Sequence, residues 1–140
     1  MLPELNENGD LPPGVHTASW TEIEKRFGTR TLARVRAMAT LRLLHELARR
    51  TGFLRKFYVF GSFVSVAAEP RDVDVLLMMA RDFATENCPS ESLPVFAHLQ
   101  AQVRYGASVF WVNEGVFSQE RLRSWQIKRD GTLRGIVEVA

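Results

Sequence analysis

Between Phe57 and Met79 the chain reads FYVFGSFVSVAAEPRDVDVLLMM, and this segment restricts the possible folds more than any other. Two runs, Phe53 to Phe60 and Asp72 to Met79, are rich in β-branched and aromatic residues and too short for long helices, so both read as strands. The second is apolar at most positions, which suits a central strand buried on both faces. A carboxylate inside such a strand is costly unless something compensates its charge. Here two are present, Asp72 and Asp74, at positions i and i+2. Side chains alternate along a strand, so both carboxylates leave one face while Val73 and Val75 turn to the other. The first strand runs into Gly61-Ser62, and nine residues then lead to Asp72.

The flanking elements follow from caps and periodicity. Ser19 with Glu22 forms a capping-box pattern, opening a short helix through Trp20, Ile23 and Phe27 that stops at Gly28. A longer helix is expected from about Thr31 to Arg50, because Ala37, Leu41, Leu44, Leu47 and Ala48 recur at helical spacing before Gly52. Its arginines then fall mostly on the flanks and outer side. A polar loop covers residues 82–92, and Leu93 to Tyr105 reads as a helix ending at Gly106. Ala107 to Asn113 reads as a third strand, Ser118 to about Lys128 as a last helix, and Gly135 to Val139 as a short terminal strand. Residues 1–18, rich in Pro, Gly, Asn and acids, read as an extended N-terminal arm, and residues 19–140 as a single domain. The element order predicts a mixed α/β or α+β fold, a short mixed sheet covered by helices.

The constellation around the two strands suits triphosphate chemistry. Gly61 lets backbone approach a phosphate closely, and Ser62 supplies a hydroxyl and an amide to a phosphoryl oxygen. Ser65 either assists Ser62 or is a small residue in a tight loop. Asp72 and Asp74 repel each other unless a divalent cation lies between them and the phosphates, and Mg²⁺ with oxygen ligands is the natural occupant. The plainer alternative makes Asp72 a turn residue and ties Asp74 to an arginine, such as Arg71 or one on the long helix.

Hydrophobic–Gly61–Ser62, a short gap, then hydrophobic-flanked Asp72-x-Asp74 resembles the signature of the DNA polymerase beta nucleotidyltransferase superfamily, over residues 58–77. The opening LPPGVHTASWTEIEKRFG also resembles the N-terminal arm of a bacterial family with that fold. The resemblance implies a minimal single-domain nucleotidyltransferase in which Gly61 and Ser62 hold the triphosphate of an NTP and Asp72 and Asp74 bind Mg²⁺. Such a protein moves a nucleoside monophosphate to a hydroxyl on RNA, a protein or a small molecule. Small members resemble components of toxin–antitoxin or phage-defence pairs, which implies a cognate protein partner or a homo-oligomer. Active members carry a third carboxylate on a later strand. The matching strand here, ASVFWVN, has none: Ser108 falls near the expected position, and Glu114 lies just past the strand's end as the candidate that reaches back. An incomplete triad favours the rival reading of a catalytically inactive relative that binds nucleotide, RNA or a cognate protein. A third reading is a structural module whose aspartates pair with arginines.

Charge and the remaining side chains add less. Lys25 to Lys56 holds ten cations and one acid, or +9, in a chain of net +2. That asymmetry fits either a polyanionic partner or a solvated helix face. His16, His45, His98 and the lone Cys88 share no metal-ligand spacing. Phe110, Trp111 and Trp125 offer either base-stacking surfaces or core, and Trp20 is expected to pack the arm against the body. No apolar run reaches the roughly 18 residues that span a bilayer, and the first residues lack a secretory pattern, so a cytoplasmic protein is expected.

Overall fold

The computed structural model describes residues 1–140. Five strands form one sheet: β1 (Val15–Ala18), β2 (Leu54–Phe60), β3 (Val73–Met79), β4 (Ala107–Asn113) and β5 (Ile136–Val139). Their spatial order is β1-β5-β2-β3-β4. The sheet is mixed: β1 and β5 are parallel, β5 and β2 antiparallel, β2 and β3 antiparallel, and β3 and β4 parallel. Four α-helices accompany it, α1 (Trp20–Phe27), α2 (Leu32–Arg49), α3 (His98–Tyr105) and α4 (Gln119–Ser124). The fold is thus the expected mixed α/β architecture with a short mixed sheet.

Strand alternation decides the layers. Phe57 and Val59 of β2, Val73, Val75, Leu77 and Met79 of β3 and Ala107 and Val109 of β4 face one side. There they meet Ile23 and Phe27 of α1, Leu41, Leu44 and Leu47 of α2 and Ala101 of α3 in the main core. Each fully buried side chain of this size contributes about 1.5–3 kcal/mol, so this face dominates stability. The other face is covered only in part: Tyr58, Leu76 and Ile136 pack under Leu122 of α4. Asp74 belongs to this second face, because it is out of phase with Val73 and Val75.

Helix starts follow the predicted caps. Ser19 Oγ accepts from Glu22 N, Thr31 Oγ1 from Arg34 N and Ser118 Oγ from Arg121 N, each at 3.2 Å. The reciprocal half of the capping box is diverted: the Glu22 carboxylate accepts from the Leu2 amide. Pro94 interrupts the helix expected from Leu93, leaving a 3-10 turn at Leu93–Phe96 before α3. The last helix ends at Ser124 rather than near Lys128.

The N-terminal residues are not an appended arm. Val15–Ala18 is an edge strand paired with β5, and Leu2 and Leu11 are buried in the main core. The segment hid its strand because it is short and follows Pro12-Pro13-Gly14. Trp20 packs as half-buried core, its ring 5.2 Å from His45 and 5.9 Å from Phe57.

Arg34 departs from the expectation that the arginines of α2 lie outward. It is 5 % exposed and directed inward. Its guanidinium donates to Phe27 O at 3.0 Å, Phe63 O at 2.7 Å, Ser65 O at 2.7 Å and twice to Ala67 O. One side chain thereby fixes the loop that leaves Gly61. Part of the basic segment is paired in space: Arg42 with Glu24, Arg50 with Glu46 and Glu91, Arg55 with Glu114 and Lys56 with Glu138.

Candidate functional site

Three adjacent strands bring the site together at one end of the sheet. In register, Phe60 of β2 lies opposite Asp74 of β3, and Asp74 lies beside Ser108 of β4. All three fall on the partly covered face. β2 then turns sharply into a 3-10 segment, Gly61–Val64. Gly61 takes φ +80°, and a Cβ there would stand 2.0 Å from Asp74 Oδ2. Only glycine allows both that backbone conformation and that approach. The Gly-Ser turn and the aspartate are thus pressed together by the fold.

Asp72 sits one residue before β3 and accepts a hydrogen bond from Ser108 Oγ at 3.1 Å. Burial and the neighbouring Asp72 charge push the Asp74 carboxyl up to about 6, against smaller opposing effects of Arg134 and Ser108. Neither aspartate is in an ion pair of the chain, so the alternative that ties them to arginines has no contact behind it. Two cations on this side are held by Asp10: Lys128 Nζ and Arg134 Nη1 lie 2.8 Å and 3.4 Å from its carboxylate.

Asp10 is 3 % exposed and reaches these cations from the N-terminal segment. Further ties fix the same region: Gly14 N donates to Gln126 Oε1 at 2.7 Å, and Gly135 N to Leu11 O at 2.9 Å. The N-terminal residues therefore position the basic loop that follows α4. That loop, with the sheet, encloses a cleft of about 340 Å³ over Asp74. The sheet contributes Phe60, Gly61, Asp74, Ser108 and Phe110 to its lining, and the segment from the end of α4 contributes Trp125, Lys128, Arg129 and Arg134. Ring centroids of Trp125 lie 4.8 Å from Phe110 and 5.3 Å from Phe60. Tilted aromatic rings, three cations and a half-buried carboxylate line one cleft, a lining that suits an aromatic ring bearing phosphates.

Residues 3–140 match the family of unknown function DUF6932. The chain belongs to that family. No curated protein and no solved structure matches it. The DUF6932 match takes in both the N-terminal segment and the Gly61–Asp74 region, in keeping with the way the structure joins them.

Two residues expected at the site are elsewhere. Glu114 follows the far end of β4, six residues beyond Ser108, which is about 20 Å along a strand. There it pairs with Arg55 at 3.3 Å, so it is not a third carboxylate for Asp72 and Asp74. Ser108 itself occupies the position beside Asp74. Ser65 is buried, and its hydroxyl donates to Ser62 O at 2.6 Å and accepts from Ala67 N at 3.2 Å. It shapes the loop. Ser62 is half-buried next to Gly61, and the loop engages it through its carbonyl rather than its hydroxyl.

Sequence reasoning missed Phe60, Lys128, Arg129 and Arg134 as cleft residues, and Asp10 as their anchor. Phe60 was accessible in principle, since it immediately precedes Gly61. The basic residues reach the site only through pairing of β5 with β2, which no local pattern announces. The candidate aromatics divide between faces: Phe110 and Trp125 line the cleft, while Trp111 packs on Phe83 and Phe96 in the core.

The donor set at the site is two carboxylates, Asp72 and Asp74. Mg²⁺ commonly takes one or two carboxylates and completes its shell with water and substrate phosphates. Asp72 and Asp74 offer that pair, and no group of three or more metal-ligating side chains exists in the chain. No helix is long and apolar enough to cross a membrane.

Proposed function

We propose that this chain is a nucleotidyltransferase-like domain that binds an Mg²⁺–nucleoside triphosphate over Asp74 and transfers its nucleoside monophosphate to a hydroxyl. The observation that carries this reading is the pairing of Gly61 with Asp74. A carboxylate is kept inside an apolar strand, against its own preference for the neutral form, with a side-chain-free turn pressed on it. Structure alone gains nothing from such an arrangement; a cationic ligand does.

In this reading Gly61 and Ser62 receive phosphoryl oxygens, Lys128, Arg129 and Arg134 bind the outer phosphates, and Phe110 with Trp125 holds the base. Asp72 and Asp74 would hold Mg²⁺, which would supply charge to offset the two carboxylates and polarisation of the α-phosphorus. The acceptor oxygen forms a bond to the α-phosphorus, and the bond to the oxygen bridging the β-phosphate breaks. Pyrophosphate leaves with that electron pair, and the hydroxyl proton passes to solvent by way of Asp72. Most of the acceleration would come from positioning and charge stabilisation.

A second reading has one observation in its favour. Ser108, a neutral hydroxyl, stands beside Asp74 where the superfamily resemblance leads one to expect a third carboxylate. This favours a catalytically silent protein that retains nucleotide binding. Label transfer from α-labelled NTPs with Mg²⁺, offering RNA and protein as acceptors, decides between them. The transferase reading predicts label on an acceptor with wild type and none with Asp72→Ala or Asp74→Ala. Nucleotide binding without label under any condition would establish the silent protein instead.

A further inference from the structure

A second cleft, of about 290 Å³, opens on the outer side of Asp72. It lies between the first half of α2, the segment leading into β3 and the end of α3. Arg36 and Arg71 line it, with Thr40 and Tyr105 adding hydroxyls, and Asp72 is its sole acid. Its two arginines differ from most cations near α2. Arg34 is buried in backbone contacts, and Arg42, Arg49, Arg50, Arg55 and Lys56 each pair with an acid. Arg36 and Arg71 are exposed, and neither is in an ion pair.

Asp72 is the hinge between the two clefts. It borders the outer one, while Ser108, which donates to it at 3.1 Å, borders the inner one beside Asp74. One carboxylate therefore faces each cleft, and a hydroxyl joins them. A group-transfer site needs such a division, because donor and acceptor must approach the same phosphorus from different sides.

We propose that the Arg36–Arg71 cleft is the acceptor site and that it takes a hydroxyl acceptor carrying a phosphate. The inference rests on the nucleotidyltransferase reading above. Two free guanidinium groups on one cleft match phosphate, which accepts paired N–H bonds from the planar fork. A phosphate held there leaves the acceptor's hydroxyl facing Asp72. The same chemistry is present in a nucleic-acid strand and in a free nucleotide.

The test uses full-length protein and a short single-stranded RNA labelled at its 5′ end, followed by fluorescence anisotropy. Competition with a mononucleotide and with inorganic phosphate separates the two sources. The double variant Arg36→Ala/Arg71→Ala changes only exposed side chains, and Arg123→Ala on α4 controls for general loss of charge. The double variant is expected to bind at least roughly tenfold more weakly and to lose about one unit of the salt slope, with Arg123→Ala close to wild type. Competition by mononucleotide at comparable concentration assigns a free nucleotide; competition by the strand alone assigns a nucleic-acid end. Mg²⁺–ATP affinity, measured in parallel by calorimetry, is expected to be the same in wild type and double variant. Unchanged or absent RNA and nucleotide-competitor binding, with Mg²⁺–ATP still bound, would overturn the acceptor cleft alone. Failure of wild type to bind Mg²⁺–ATP would overturn the reading beneath it.

Discussion

Arg34→Ala is expected to lower the free energy of unfolding by about 3–5 kcal/mol, the largest effect of any single substitution considered for this chain. The wild-type guanidinium serves the carbonyls of Phe27, Phe63, Ser65 and Ala67 from a nearly sealed position. Burial and, secondarily, Arg30 pull its pKa below the usual arginine value, but the group stays charged because arginine deprotonates only far above neutrality. Removing it strips donors from four carbonyls and opens a void beneath the loop, and each carbonyl left buried without a partner costs about 1–3 kcal/mol. Domains of this kind are stable by only about 5–15 kcal/mol, so a large share of the total is at stake. Arg34→Lys keeps the charge but not the planar fork, and is expected to fall between wild type and alanine. Urea unfolding of the three proteins measures this directly. An alanine variant within 1 kcal/mol of wild type would show that the loop after Gly61 is held by something else.

Asp74→Asn should act in the opposite direction on stability and remove function. The folded state raises the Asp74 carboxyl to about 6, mainly through burial and secondly through the Asp72 charge. An unfolded chain returns it to about 3.9. A group raised on folding favours the folded state fully below the unfolded value, and that contribution is lost as pH rises through the folded value. Near pH 7.5 the wild type therefore carries a charged carboxylate where its fold prefers a neutral one. A shift of this size corresponds to about 3 kcal/mol at most, and the cleft admits water, which reduces it to about 1–2 kcal/mol. Asn has no such charge. The variant is expected to melt several degrees above wild type near pH 7.5 without metal, with the advantage vanishing near pH 4. It should also lose Mg²⁺-dependent nucleotide binding. A variant less stable than wild type at pH 7.5 would show that Asp74 is a structural anchor.

That trade separates what the sequence could and could not reveal. The strand Val73–Met79, the strand Ala107–Asn113 and the helix Leu32–Arg49 lie within a residue or two of where periodicity and caps placed them. Each is a local signal, carried by side-chain alternation or by a cap. Gly61 and Asp74 were legible as a pair because both interrupt apolar runs at a cost, and the fold brings them into contact. The N-terminal strand was not legible, since its four residues gain stability only from pairing with β5 at the far end of the chain. Asp10 escaped for the same reason: its partners Lys128 and Arg134 are more than one hundred residues away in sequence. Glu114 was chosen by nearness along the chain, but β4 runs parallel to β3, and this carries Glu114 to the opposite end of the sheet from Asp74. The basic segment misled in a similar way. Its charge is conspicuous in sequence, yet acids from α1, the 82–92 loop, β5 and the end of β4 pair with part of it.

Titrating wild-type protein with ATP in a calorimeter, with Mg²⁺ and then with a chelator, tests for a nucleotide site built on Asp74 and completed by a divalent cation. Saturable binding is expected in Mg²⁺ and its loss in chelator, with affinity rising as pH is raised through about 6, where Asp74 ionises. No heat of binding in Mg²⁺ at neutral pH, from protein shown to be folded, would contradict it.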